Sequence, residues 1–110
     1  MMDERERRIA LNEAVFREAN ERIQELNQTF ATITNELVLV CECGDGTCAE
    51  KISMDPAAYE QIRAESAQFA IVPGHEVPDV EHVVAKHEGY DVVRKKEGIP
   101  RRVAEVTDPR

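Results

Sequence analysis

From residue 3 to residue 33 the chain reads DERERRIALNEAVFREANERIQELNQTFATI, without a glycine or a proline. A stretch this long and free of breakers has one ready way to pair its backbone groups, a continuous helix. Ile9, Phe16, Ile23 and Phe30 recur every seven residues, with Asn12, Ala19, Leu26 and Ile33 offset from them by three. That is a heptad seam with Arg, Glu, Gln and Asn between its positions, so residues 3–34 are expected to form one long amphipathic helix. Thr29, Thr32, Thr34 and Asn35 gather where it should end, since β-branched and cap-type residues disfavour continuation. The seam has two uses: a coiled coil with another chain, most simply a second copy, or packing of Phe16, Ile23 and Phe30 on the rest of the same chain. Asn12 at a seam position fits register control as well as it fits a frayed end.

The remainder is patterned for short strands. "ELVLV" reads as a buried strand and "AEKISM" as a second, the two forming a hairpin around a loop with Gly44 and Gly46. Asp55 and Pro56 mark a helix start, giving a short helix over 56–66 with Ala58, Ile62 and Tyr59 inward. "FAIV" at 69–72 is a third strand, stopped by "PGHEVP", and "VEHVVAKHEGYDVVRKK" a final hairpin. From residue 97 onward Gly98, Pro100 and Pro109 punctuate a polar stretch with little to bury, expected as a flexible tail over 97–110. The basic cluster of Arg94, Lys95, Lys96, Arg101 and Arg102 reads first as a solvated strand end. The expected fold class is α+β: a long N-terminal helix, then a small, mostly antiparallel β domain over 37–96 with one short helix.

Acidic residues outnumber basic ones, 22 to 14, and the net charge of −8 repels a phosphate backbone and an anionic membrane surface. With 5% aromatic residues and no Trp, the chain also lacks stacking platforms for single strands, so nucleic acid is not an expected partner. The charged N-terminus does not resemble a secretory signal, and the longest apolar run, "LVLVC", is strand-sized. A cytoplasmic location is expected, where clustered thiols bind metal or do redox work more often than they form staples.

All three cysteines fall in "VCECGDGTCAEKI", residues 40–52. Cys43 and Cys48 have a spacing suited to a zinc turn, and Cys41 and Cys43, two apart in an extended strand, point to one face. A tetrahedral site needs a fourth ligand. His75, in the rigid turn "PGHE", is the first candidate; His82 and His87 read as surface residues, and Asp45 or a water is the fallback. If the helix projects outward, a body of about sixty residues is left to fold with too small a core, a shortfall one structural zinc ion per chain would meet. Buried reduced thiols and a redox role are the competing readings; the odd count weakens a purely disulfide one.

The segments "VCECGDGTCAEKISMDPAAYEQIR", "FAIVPGHEVPDVEHVV" and "YDVVRKK" resemble a family of short bacterial proteins, best represented in high-GC Gram-positive genomes, to which no activity is attached. That pattern, which also takes in the helix around "RERRIALNEAVFREANERI", is built around Cys41, Cys43, Cys48 and His75.

Three functions compete. The first is a small zinc-binding interaction or regulatory protein whose metal is structural and whose helix docks a protein partner or pairs with itself. The second is a metal-dependent hydrolase or deaminase using metal-bound water with Glu76 as general base. The chain lacks both H-E-x-x-H and P-C-x-x-C, with Pro78 and Asp79 following His75-Glu76-Val77. The third is a thiol switch in which oxidation releases the metal. No nucleotide-binding glycine motif and no G-x-S-x-G is present.

Overall fold

The computed structural model describes residues 4–110, so Asp3, the expected first helical residue, lies outside the described residues. Helix α1 (Glu4–Thr34) is followed by β1 (Leu37–Val40), β2 (Lys51–Met54), α2 (Pro56–Arg63), β3 (Gln68–Ile71), β4 (Glu81–His87), β5 (Tyr90–Lys95) and α3 (Ile99–Val106). The fold is α+β, as the patterning predicts. β1 and β2 pair antiparallel, Leu37 opposite Met54 and Val40 opposite Lys51. The second sheet has the order β3-β5-β4, also antiparallel, with β4 and β5 joined through Gly89 at φ +89°, a left-handed value that favours glycine. Asp55 caps α2 by accepting from Ala58 N–H at 2.8 Å, with Pro56 in the first turn.

The apolar interior gathers Leu37, Leu39, Ile52, Met54, Tyr59, Ile62, Ala70, Tyr90 and Val92, with Ala31 and the partly buried Ile23 reaching in from α1. A second cluster holds Cys41, Cys43, Phe69, Ile71, Val93 and Ala104. The expected heptad seam does not act as one face. Ile9 is buried and Ile23 half-buried, whereas Leu26, Phe30 and Ile33 stand in solvent. The buried stripe of α1 is instead Ala10, Glu13, Arg17, Asn20, Glu21 and Ala31, mostly polar residues. These side chains have found partners that an isolated helix cannot supply, and a buried polar group is tolerated when it is hydrogen-bonded or paired.

Arg17 illustrates this. Fully buried, it donates to the carbonyls of Ser66 and Ala104 and lies over the Phe69 ring at 4.4 Å. Arg63 of α2 pairs with Glu21 at 2.7 Å and with Asp108, and Arg110 reaches Glu21 at 2.9 Å and Glu60 at 2.6 Å. These contacts correct the expectation for 97–110: residues 99–106 form a helix with Ala104 buried, and the terminal residues are tied to α1 and α2. The fold therefore has two short helices rather than one. The segment has little apolar surface, but ion pairs and the Arg17 hydrogen bond to the Ala104 carbonyl supply the anchorage that apolar burial does not.

A second buried group joins α1 to the β3-β5-β4 sheet. Lys95 Nζ pairs with Glu81 at 2.8 Å and with Glu13, all three side chains being essentially inaccessible. One cation faces two carboxylates, and burial, then the neighbouring Glu81 charge, push the Glu13 carboxyl well above its ordinary value. A carboxyl raised in the folded state contributes stability that is present in full below the unfolded pKa and is lost as pH rises through the folded one. Glu13→Gln, which mimics the protonated acid, should therefore gain stability relative to the parent chain as pH climbs above the usual carboxylate range. Urea midpoints measured for both proteins across a pH series test this; parallel profiles would refute it.

Candidate metal centre

The three sulfurs are aimed by the residue between two of them. Cys41, Glu42 and Cys43 directly follow β1; Cys41 and Cys43 pack in one cluster with Phe69 and Ile71, whereas Glu42 between them reaches Asn20 and Tyr59. Glu42 is fully buried. Its Oε2 accepts from Asn20 Nδ2 at 2.7 Å and from the Tyr59 hydroxyl at 3.0 Å, and its Oε1 accepts from Ala70 N–H at 2.9 Å. Its own N–H donates to the Ala70 carbonyl at 2.8 Å, which joins this segment to β3. Asn20 adds a two-way clasp on Val40, accepting from its N–H at 2.9 Å and donating to its carbonyl at 2.8 Å. Burial raises the Glu42 carboxyl, and burial together with the Glu42 charge raises the Tyr59 hydroxyl. The buried face of α1 and the middle residue of C-x-C thus fix the backbone that carries two of the thiols.

The loop to Cys48 is held from both sides. Asp45 accepts from Thr47 N–H at 2.9 Å and Thr47 Oγ1 at 2.7 Å, bonds that hold its carboxyl below the usual range, and Cys48 N–H donates to the Asp45 carbonyl. Asn12 donates to the Gly44 carbonyl at 2.9 Å, so this seam residue serves as a loop anchor. A Cβ on Gly44 would lie 2.6 Å from Ile9 Cγ2; this glycine is required by the close approach of α1. His75 comes from the other sheet. Val72, Pro73, Gly74 and His75 make a tight turn, with His75 N–H donating to the Val72 carbonyl at 3.0 Å and Gly74 at φ +92°.

His75 Nδ1 lies 3.6 Å from Cys41 Sγ and 3.8 Å from Cys48 Sγ, and the four ligand atoms of Cys41, Cys43, Cys48 and His75 all fall within 4.8 Å of one another. A tetrahedral zinc with Zn–S of about 2.3 Å and Zn–N of about 2.0–2.1 Å has S···N edges of about 3.5 Å and S···S edges of about 3.8 Å. The donor set and its spacing fit such an ion. Cys41 and Cys43 are buried, Cys48 and His75 half-buried. Burial pushes both the Cys41 and the Cys43 thiols up, so a cation is needed to hold these sulfurs as thiolates. Backbone N–H groups are already directed at them, Val72 at Cys41 Sγ (3.2 Å) and Asp45 at Cys43 Sγ.

The far ring nitrogen of His75, Nε2, meets Glu50 at 3.0 Å, an arrangement that orients the ring with Nδ1 toward the sulfurs. Neither Glu50 nor Glu42 stands out in the sequence, because their roles follow from which strands meet in space. His82 and His87 are exposed, His87 stacking on Tyr90 with ring centroids 4.7 Å apart. Asp45 is engaged with Thr47, and Glu76 is not part of the ligand group.

Fold and site together define a small α+β protein with a Cys3His cluster able to hold a metal ion. No protein-family model, no curated protein and no solved structure matches the chain, so the bacterial-family resemblance rests on its motif alone. Among the described residues no helix is long and apolar enough to cross a membrane.

Proposed function

We propose that Cys41, Cys43, Cys48 and His75 bind one zinc ion as a structural centre, in a small protein that acts through protein contacts rather than through chemistry at the metal. The observation that carries this is the approach of His75 Nδ1 to two sulfurs at distances close to the edges of a zinc tetrahedron. Three thiolates and an imidazole are the donors zinc prefers in closed sites, and soft thiolates discriminate against magnesium and calcium. With four protein ligands the coordination sphere is complete, which leaves no position for a water that Glu76 would activate. The ligands come from the loop of one sheet and the turn following β3 of the other, so the ion would cross-link both sheets directly beneath α1.

Elemental analysis of protein purified without added metal should give about one zinc per chain, with Cys43→Ser reducing that content sharply. A folded, metal-free protein with three freely titrating thiols would end the proposal.

A further inference from the structure

Helix α1 has its polarity reversed. At 3.6 residues per turn, Leu11, Val15, Leu26, Phe30 and Ile33 fall on the side opposite the buried stripe of Ala10, Glu13, Arg17, Asn20 and Ala31. That outer side is exposed: Leu11 44%, Val15 64%, Leu26 85%, Phe30 65% and Ile33 78%. Single exposed apolar residues are ordinary, but five along one helix face, in two groups of two and three, form a pattern of the kind that marks an interaction surface. At its middle sit Glu18 and Arg22, paired at 3.7 Å and both solvent-exposed.

We propose that this face is the interface of an antiparallel homodimer, α1 against α1 of a second copy. The reason is the order of residues along the stripe: Leu11, Val15, Glu18, then Arg22, Leu26, Phe30. Reversed and laid on itself, the stripe sets Leu11 against Phe30 of the second copy and Val15 against its Leu26, and brings Glu18 to within one residue, about 1.5 Å of rise, of the level of its Arg22. These apolar pairs are symmetric about a point between residues 20 and 21 and the charges are antisymmetric about Asn20, half a residue away, so a twofold axis near there sets apolar against apolar and acid beside base. A parallel pair would oppose Glu18 to Glu18 and Arg22 to Arg22, at a cost that selects against it. The paired segment spans about 28 Å of helix. This register differs from the heptad seam read from the sequence, whose Ile9 and Ile23 are committed to the chain's own interior. The proposal does not depend on the metal reading, since no ligand lies on the stripe.

The test is the solution mass of the full chain across a concentration series by light scattering and sedimentation, with far-UV circular dichroism confirming the fold of each variant. The parent chain should approach twice its 12.4 kDa mass. Leu26→Glu and Glu18→Arg should each shift it to the monomer, and the exchange Glu18→Arg with Arg22→Glu should restore the dimer. A parent chain that stays monomeric up to its solubility limit overturns the proposal. So does a dimer indifferent to Leu26→Glu and Glu18→Arg, or a charge exchange that fails to rescue.

Discussion

Removal of the metal with a chelator is expected to cost the protein several kcal/mol of stability and lower its melting temperature by about 10 °C or more, at ~4–8 °C per kcal/mol for a domain near this size. The loss is large because the sulfur-bearing loop and the His75 turn belong to different sheets, and the ion would be their strongest direct link. Buried thiols relieved of the cation return to the neutral form, since burial raises both Cys41 and Cys43. Substitutions should grade the effect. Cys41→Ser and Cys43→Ser remove buried ligands and should approach the fully stripped protein. His75→Ala leaves three thiolates and should retain metal more weakly. Glu50→Gln weakens the bond that orients the ring and should lower metal affinity by about 10–100-fold while leaving the metal-free protein unchanged. Equal melting temperatures with and without chelator, at matched metal content before treatment, would show that the fold does not lean on the ion.

Lys95→Met is expected to destabilise by about 3–5 kcal/mol, a large part of the ~5–15 kcal/mol that a single domain typically has. The substitution leaves an unbranched apolar side chain one atom shorter than lysine and removes the ammonium with its charge and its hydrogen bond to Glu81. Glu13 and Glu81 then face each other without their shared cation in a site closed to water. Glu81 keeps one partner, accepting from Val77 N–H at 3.1 Å, so Glu13 should bear most of the penalty and take up a proton. Adding Glu13→Gln to Lys95→Met should recover part of the loss, because glutamine is neutral without the cost of taking up a proton from neutral solution. Urea unfolding of the parent, both single variants and the double variant gives the coupling directly; additive losses would mean that the two side chains do not act as a unit.

The local elements of this fold were legible because each rests on chemistry confined to a few neighbouring residues. Asp55 and Pro56 start α2 by capping and by a preset φ, and Pro73-Gly74 makes the turn that presents His75. The four candidate ligands were legible for a related reason: thiols and an imidazole on a strand and in a turn have few other uses in concert. The tail was misread because helix α3 rests on Arg17, some ninety residues upstream, and no local pattern announces so distant a partner.

The sequence by itself determined that residues 4–34 are helical, since an unbroken run of helix-compatible residues satisfies its own backbone wherever it lies. It also determined which residue types could gather around a metal. Only the tertiary structure decided which face of α1 turns inward. Hydrophobic periodicity assigns the apolar seam to the interior, but Glu13, Arg17 and Asn20 meet Lys95, two backbone carbonyls, Val40 and Glu42 there, and paired polar groups can occupy a core. The helix is rotated so that these bonds are made, and Leu26, Phe30 and Ile33 are left outside as the consequence.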